Sequence, residues 1–396
     1  MRKALLAGIV ALVAIAGAVA AMVFAAGGGG SGSARAHSFV VGSVDDALAQ
    51  QDPGFAQSQV DLSRAAAFDA AIVSATWSPG QREPDASTLA VLHNVARATT
   101  RAHMQLWIMI WHGLARSTPK NASERADAAA YSAALVRALP EAKAVIVGNE
   151  PNLSTFWKPQ FAADGSDAAA MAYEDLLARS YDAVKAARPD VLVLGGALSP
   201  RGADRPTGGR PTHSPTRFIV DLGAAYRASG RTEPLMDAFA IHPYMQASRI
   251  PPTAAHPDNT SITIADYPKL VRLLEAAFQG THQEAAQLPI YYTEFGVQTP
   301  VPSSKQQFYT DLGSPTRSDT VSFETQAAYY RRALELAYCQ PTVRGLFVFH
   351  TFDESSLYGW QSGLYFADRT PKPSLPAFKQ AVNDLRNGRF PACAGG

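Results

Sequence analysis

The stretch "VIVGNEPN" (residues 145–152) combines a short apolar run with the residues that end it. Val-Ile-Val is typical of a strand that is buried on both faces, as strands of parallel sheets are. Pro151 cannot continue such a strand because it has no backbone N–H to donate. The sequence therefore predicts that Glu150 lies at the end of a buried strand.

The same alternation of a short apolar strand and an amphipathic helix recurs along the chain from Ser38 onward. Residues 167–187 are a typical predicted helix, since their apolar side chains fall on one face and Pro189 follows the run. Residues 121–124, "NASE", resemble a capping box that opens another helix. The predicted strands are residues 39–44, 71–75, 105–110, 144–147, 191–195, 238–241, 290–293 and 345–349.

Eight strands that alternate with helices predict a parallel sheet with right-handed crossovers, and their number favours a closed (β/α)8 TIM barrel in a single domain. An open, doubly wound sheet is the structural alternative. No Gly-x-Gly-x-x-Gly follows the first strand, so a dinucleotide-binding fold has little support. Residues 199–214, 245–264 and 298–320 are long βα loops, which we expect to form the walls of a substrate cleft.

The first residues carry the pattern of an export signal. Arg2 and Lys3 precede an uncharged apolar stretch, residues 4–26, and a Gly/Ser spacer follows at 27–33. We expect residues 1–36 to be a signal peptide or an uncleaved membrane anchor, because the apolar stretch is long enough to span a bilayer. Residues 37–396 would then form a catalytic domain that is secreted or held at the outer face of the cytoplasmic membrane.

Charge and cysteine content restrict the partners. The 35 basic and 34 acidic residues nearly balance, so nothing points to nucleic acid, and a membrane partner enters only through the N-terminal segment. Cys339 and Cys393 could pair in an oxidising compartment, or they could be two free thiols. Neither has the neighbours of a nucleophile or a metal site, and no cofactor or metal is expected.

Polar residues cluster where the predicted strands end. Strand four ends in Asn149 and Glu150, strand six in His242 and Tyr244, and strand seven in Glu294. In a closed barrel the two glutamates would face one mouth, and two opposed carboxyl groups suit the cleavage of a glycosidic bond. We predict Glu294 as the nucleophile and Glu150 as the acid/base. Their separation would decide between retention and inversion of the anomeric configuration.

The neighbours of these glutamates and several aromatic residues are predicted to contact the substrate. Tyr244 and His242 could hydrogen-bond Glu294, and Asn149 could bind a sugar hydroxyl. Indole rings at strand ends can stack on sugars, although aromatic residues mostly serve packing, so two of the four candidate tryptophans are expected in the site. Trp107 lies within strand three and is expected in the core. The remaining candidates are Trp77, Trp111, Trp157, Trp360, Phe349 and His350.

Four motifs in this order resemble clan A glycoside hydrolases, and families 5 and 39 in particular. They are "VGNEPN", "AIHPY", "YYTEFG" and "GWQSGLYFADRTPKPSLPAFK", and the resemblance spans nearly all of residues 39–378. It implies a retaining β-glycosidase whose acid/base is Glu150 and whose nucleophile is Glu294. Many relatives carry an arginine on strand two and a tryptophan at the end of strand eight. This chain instead has Ala-Ile-Val at 71–73, and Phe349 and His350.

The sequence gives no support to a metal-dependent barrel hydrolase, a Schiff-base aldolase or a Ser-His-Asp hydrolase. We find no His-x-His cluster near strand one, no lysine at an interior strand end, and no Gly-x-Ser-x-Gly elbow. Two hypotheses remain. The first is a retaining glycosidase, which could also transfer the sugar to another sugar, and the second is a sugar-binding pseudoenzyme of the same fold.

Overall fold

A computed structural model describes residues 38–207, 209–283, 285–312, 319–390 and 393. The predicted N-terminal signal or anchor, residues 1–36, lies outside this part of the chain. Eight parallel strands pair in chain order and close into a barrel, so the predicted (β/α)8 barrel is confirmed over the open sheet. The strands are β1 Val40–Val44, β2 Ala70–Thr76, β3 Gln105–Trp111, β4 Ala142–Val147, β5 Leu192–Leu198, β6 Ala238–Ile241, β7 Ile290–Phe295 and β8 Val343–Phe349.

Helices follow the strands and pack outside the barrel. The predicted helix at 167–187 is confirmed, since Asp167 caps it by accepting a hydrogen bond from the Ala170 N–H at 2.8 Å. The helices are α1 Pro53–Ala65, α2 Ala86–Arg101, α3 Ala122–Ala138, α4 Ala168–Ala187, α5 Pro215–Ser229, α6 Tyr267–Phe278, α7 Phe323–Cys339 and α8 Leu375–Arg386.

The predicted capping box at the start of α3 forms only in part. The side chain of Asn121 accepts a hydrogen bond from the Glu124 N–H at 2.9 Å, as a capping residue does. The Glu124 carboxylate, however, accepts from the N–H of Lys120 at 2.7 Å, one residue before the cap. The helix is thus capped by Asn121, and Glu124 fastens the preceding loop instead of completing the reciprocal pair.

Bulky side chains fill the inside of the barrel. Trp107 is 1% exposed, and its ring packs against the rings of Tyr291 and Phe347, each at 4.9 Å. The expectation that Trp107 belongs to the core is therefore confirmed. A larger apolar cluster lies between the strands and the surrounding helices. Interior packing of this kind closes the barrel below its carboxyl-terminal mouth, where the site lies.

Gly42 in β1 makes room for the interior ring of Phe347. A Cβ atom at this position would lie 2.4 Å from two ring atoms of Phe347 and 2.8 Å from the carbonyl oxygen of Ala70. Real Cβ atoms do not approach neighbours so closely, so glycine is required by packing at this position.

The two cysteines are joined in a disulfide bond, which is the first of the two alternatives. Cys339 is the last residue of α7, and Cys393 lies near the end of the chain. The bond fastens the C-terminal tail to the outer helical layer. Among the described residues, no helix is both long and apolar enough to cross a membrane.

Substitution of Gly42 by alanine should destabilise the barrel by about 1–3 kcal/mol, because the added methyl group overpacks the interior against Phe347. Urea unfolding followed by circular dichroism measures the effect. Gly54→Ala is the matched control, since Gly54 lies in the exposed first turn of α1 and should tolerate the methyl group. Equal stability of the two variants would contradict the packing role of Gly42.

Candidate active site

The backbone beyond β4 turns sharply and directs Glu150 toward the barrel mouth. Gly148 has a φ of +80° and Glu150 a φ of +41°, both in the left-handed region. Glycine adopts such angles freely, whereas a glutamate does so at a cost of about 1–3 kcal/mol. The Glu150 N–H donates to the carbonyl oxygen of Ala197 at 2.9 Å, which holds the residue in this conformation.

Tyr173 of α4 links the ends of β4 and β5 beneath this turn. Its hydroxyl donates to the carbonyl oxygen of Val147 at 2.8 Å and accepts from the N–H of Gly196 at 2.8 Å. The side chain is fully buried. Since both polar backbone groups would otherwise be unpaired in the interior, this hydroxyl fixes the spacing of the two strand ends that border the site.

Glu150 and Glu294 converge on one buried histidine. The Nδ1 atom of His242 lies 3.1 Å from Oε1 of Glu150 and 3.5 Å from Oε2 of Glu294. Burial alone would lower the pKa of His242, but the charges of both glutamates and the hydrogen bond to Glu150 outweigh it and raise that pKa. The two glutamates therefore favour the protonated, positively charged form of His242, which lies between them.

Tyr244 completes the contacts of Glu294, as the sequence predicted. Its hydroxyl donates to Oε2 of Glu294 at 2.9 Å. Burial raises the pKa of Glu294 to about 7, while the charge of His242 and the Tyr244 hydrogen bond oppose that rise. Glu294 consequently ionises near neutral pH, and the Tyr244 hydrogen bond and the charge of His242 stabilise its charged form.

The two glutamates line a cavity of about 760 Å³ at the carboxyl end of the barrel. Among the predicted site residues, those that line it are Asn149, Glu150, Tyr244, Glu294, Trp111, Phe349, His350 and Trp360. His242 lies below this surface with 1% exposure and reaches the cavity through the glutamates. A cleft of this size accommodates one or two sugar rings.

Of the four candidate tryptophans, of which two were expected in the site, Trp111 and Trp360 line the cavity and the other two are placed elsewhere. Trp77 is 0% exposed and donates its indole N–H to the carbonyl oxygen of Gln81. Trp157 is 2% exposed and packs edge-on against His112 and Tyr173. Both follow strand ends, yet their rings turn outward into the layer between strands and helices, where large apolar surface is best buried.

The residues at the end of β8 form an aromatic wall with Trp360. The ring of Trp360 lies 5.1 Å from that of Tyr244 and 5.6 Å from that of Phe349. Burial lowers the pKa of His350 to about 4, so its ring is neutral at ordinary pH. Phe349 and Trp360 together thus supply apolar ring surface at the end of β8.

Two buried polar atoms of the cavity lining have no hydrogen-bond partner within the described residues. They are Oδ1 of Asn149 and Nδ1 of His350. An unpaired buried polar atom is costly, and a ligand with hydroxyl groups could satisfy both. The predicted role of Asn149 as a contact to a sugar hydroxyl remains a prediction that agrees with this placement.

Several residues of the cleft were missed by the sequence reasoning. Asp46 follows β1 and accepts a hydrogen bond from the Ser74 N–H at 2.6 Å. Arg201 follows β5 and lines the cavity. Asp45 directly follows β1, lines the cavity and accepts hydrogen bonds from the N–H groups of Thr351 and Phe352. Their positions just after strand ends were the available signal, but single charged residues in loops are common.

Within the described residues, one group outside the cleft has the composition of a metal site. One ligand atom from each of Asp167, His213 and Asp221 lies within 4.8 Å of the others. None of the three lines the catalytic cavity, and Asp221 is already paired with Arg217 at 2.5 Å. We assign this group no part in the chemistry of the cleft.

Similarity to known proteins appears at the level of the fold. The structure resembles β-glycosidase BGL167 at 17% identity, with a TM-score of 0.55 and coverage of 86% of this chain and 87% of that chain. It also resembles GH5_18 from Streptomyces cattleya in complex with GlcNAc, at 17% identity and a TM-score of 0.56, covering 88% and 80%. A monomeric β-xylosidase from Caulobacter crescentus CB15 matches at 16% identity and a TM-score of 0.53, covering 87% and 67%.

No protein-family model matches this sequence, and no curated protein matches it. At these levels of identity the solved structures establish the shared barrel, whereas function depends on the site that the barrel carries.

Replacing Tyr244 by phenylalanine should move the titration of Glu294 to higher pH, because the variant loses a donor that stabilises the ionised carboxylate. Carbon-13 NMR of protein labelled at the glutamate carboxyl carbons follows that titration, with the Glu294 signal assigned from a Glu294→Gln sample. Tyr291→Phe, in the same barrel but with its ring against Trp107, is the control. An unchanged titration of Glu294 in the Tyr244→Phe variant would show that Tyr244 does not stabilise the ionised carboxylate.

Proposed function

We propose that this protein is a retaining glycosidase that hydrolyses β-linked glycosides or polysaccharides by double displacement. The observation that carries the proposal is the convergence of Glu150 and Glu294 on His242 within one cavity. Cleavage of a glycosidic bond needs one carboxyl group to protonate the leaving oxygen and a second to attack the anomeric carbon. A protein that only binds sugars has no need for two opposed carboxyl groups.

The surroundings of the glutamates support distinct roles for them. Glu294 accepts a hydrogen bond from Tyr244 and lies 3.5 Å from Nδ1 of His242, contacts that suit a nucleophile that must be ionised when it attacks. Glu150 ends the turn after β4 and faces the cleft beside Asn149. It would give its proton to the leaving oxygen in the first step and take a proton from water in the second.

The spacing favours retention over inversion. Both carboxylate oxygens lie close to one nitrogen, at 3.1 and 3.5 Å, so they cannot be farther apart than the sum of these two distances. Inverting enzymes keep their carboxyl groups about 6.5–9.5 Å apart to admit a water molecule, whereas retaining enzymes need about 5–5.5 Å. The two carboxylate oxygens would be as far apart as the lower end of the inverting range only if Nδ1 of His242 lay on the straight line between them.

Either water or another sugar could attack the proposed covalent intermediate, and the two glutamates are placed to assist either acceptor. Hydrolysis and transfer to another sugar therefore share the same machinery. The absence of a basic residue at 71–73 favours the pseudoenzyme alternative. His242 offsets that loss, because it supplies a positive charge beside Glu294 from β6.

We also propose that the protein acts outside the cytoplasm, as a secreted enzyme or one held by its N-terminal segment. The support is the apolar stretch at 4–26 and the disulfide between Cys339 and Cys393, which persists in oxidising compartments. Its substrate would be carbohydrate, with no nucleic acid involved.

Incubation with a panel of 2-deoxy-2-fluoro β-glycosides bearing activated leaving groups should add one sugar mass to the protein, because the fluorine slows breakdown of the glycosyl-enzyme more than its formation. Peptide mapping by mass spectrometry should place the added mass on Glu294. Glu294→Gln should gain no mass and lose turnover while it keeps its circular dichroism spectrum. Glu233→Gln, an exposed glutamate on the outer surface, should behave as wild type.

Absence of an adduct with every sugar, in protein that still binds glycans, would contradict the proposed enzyme and favour the pseudoenzyme. An adduct on a residue other than Glu294 would overturn the assignment of the nucleophile.

Glu150→Ala should lower kcat/KM for glycosides with poor leaving groups by about 100-fold to 10,000-fold, the usual contribution of a general acid. Aryl glycosides with acidic phenol leaving groups should be affected much less in the first step, because such groups depart without protonation. Steady-state kinetics on a series of leaving groups measures the difference. Equal losses across the series would show that Glu150 is not the acid.

A further inference from the structure

Arg201 is an uncompensated cation at the cleft wall. It follows β5, and its Nη1 atom donates to the carbonyl oxygen of Tyr244 at 3.3 Å. Within the described residues, no carboxylate oxygen lies within 4.0 Å of its guanidinium nitrogens, although many of the other arginines form such pairs. Its burial lowers its pKa, whereas the charge of Glu150 acts in the opposite direction.

The other cations near the cleft are already satisfied. Arg369 lines the cavity, but its Nε donates to Gln59 at 2.5 Å and its Nη1 to the carbonyl oxygen of Ala367 at 2.7 Å. Lys372 is paired with Asp353. Arg201, with its single hydrogen bond to a backbone carbonyl, thus makes fewer contacts within the described part of the chain than Arg369, which makes two hydrogen bonds and lies over the ring of Phe352.

The charges of the cleft are divided between its two ends. Arg201 follows β5, which lies across the closed barrel from β1, and the carboxylate that acts on it is Glu150. Asp46 follows β1, and its negative charge raises the pKa of Glu294. Glu354 lies on that same side, 3.9 Å from His350. Arg369 also lies on that side, near Asp45. The carboxylates there outnumber this cation, so the Glu294 end is acidic on balance, and Arg201 brings a positive charge to the Glu150 end.

The two ends correspond to the two halves of a substrate. The sugar that becomes attached to the protein lies over Glu294, and the departing group lies beside the residue that protonates it, Glu150. An acidic wall disfavours an anion in the first half. Arg201 favours an anion in the second half, because a guanidinium that has lost water gains most from a charged acceptor.

A second cavity, of about 220 Å³, adjoins Arg201 and is lined mainly by the loops that follow β6 and β7. Arg201, Tyr244 and Trp360 line both cavities. Arg201 therefore lies where a leaving group longer than one ring would pass from the reacting bond to the second cavity. Gln246, Ser248 and Gln298 bring neutral polar groups to that second cavity, and Asp319 brings a carboxylate.

We propose that Arg201 binds a carboxylate on the leaving-group half of the substrate, so that the glycoside has a neutral sugar before the cleaved bond and a uronic acid after it. The inference rests on the proposed glycosidase function and names its substrate class. The guanidinium presents a planar fork of N–H donors that matches a carboxylate, and Trp360 offers ring surface for the sugar that carries it. Arg201 is then a specificity-determining residue.

The test uses acceptors that enter the leaving-group half alone. Protein trapped as its 2-fluoro glycosyl-enzyme is freed of excess reagent, and the return of activity is followed with added methyl β-glucuronide or methyl β-glucoside, which differ only at C6. The same comparison is made with the methyl galactosiduronate and galactoside. We expect at least one uronide to speed reactivation about tenfold or more over its neutral partner, as a charged hydrogen bond would.

Arg201→Gln should remove that preference, because it should slow reactivation by the uronides far more than reactivation by the neutral sugars. Arg205→Gln, an exposed arginine on the same loop, should keep it. Equal loss with acidic and neutral acceptors would mean that Arg201 acts through Glu150 or Tyr244, and would overturn the proposal. Equal reactivation by acidic and neutral sugars in the wild type would overturn it as well.

Equilibrium binding separates this proposal from the function on which it rests. Calorimetry measures the affinity of Glu294→Gln protein, which should not turn over, for the same four methyl glycosides. Failure to form the trapped intermediate would contradict the glycosidase, yet a uronide preference in binding that is lost in Arg201→Gln would still support the carboxylate site. No uronide preference in binding, in protein that does form the intermediate, would overturn the site alone.

Discussion

The candidate site depends on the contact of one buried imidazole with two carboxyl groups. Two carboxylates in a low-dielectric cavity repel each other and lose solvation, so neither the burial nor the proximity of Glu150 and Glu294 is favourable by itself. His242 places positive charge within 3.1 Å of one and 3.5 Å of the other. Tyr244 adds a hydrogen bond to Glu294. These donors allow the pair to persist where the proposed chemistry needs it.

The barrel supplies the precision that this arrangement requires. The three residues in contact come from the ends of β4, β6 and β7, which closure of the sheet brings to one mouth. Tyr173 ties β4 to β5 below them, and the unfavourable backbone angle of Glu150 is held by its hydrogen bond to Ala197. Strain of about 1–3 kcal/mol at that residue is a small fraction of what interior packing contributes, and it directs the carboxylate into the cleft.

The fold and the central glutamates could be predicted because their signals are local and repeated. Eight apolar runs determine the strands, and parallel order places the residues that follow them at one end. The direction of a side chain after a strand has no such signal. Trp77, Trp111 and Trp157 occupy similar positions in the sequence, yet only Trp111 turns into the cleft, because the others fill space beneath the helices. The outcome depends on packing between distant segments.

The role of Arg201 and the pairing of Glu124 likewise could not be predicted from the sequence. Arg201 matters because no carboxylate of the described residues lies beside it, and an absence of partners cannot be read from a sequence. Glu124 fits the spacing of a capping box, but the loop before α3 offers the N–H of Lys120 first. Charge balance and loop shape, which depend on tertiary structure, decide both cases.

The stereochemistry of the first product tests the central claim, the double displacement by Glu294 and Glu150, most directly. Proton NMR recorded immediately after mixing the protein with an accepted β-glycoside reports which anomer is released before the free sugar equilibrates. The account predicts the β anomer, as two successive inversions require. Initial release of the α anomer would mean that water attacks directly, and would contradict the covalent role of Glu294.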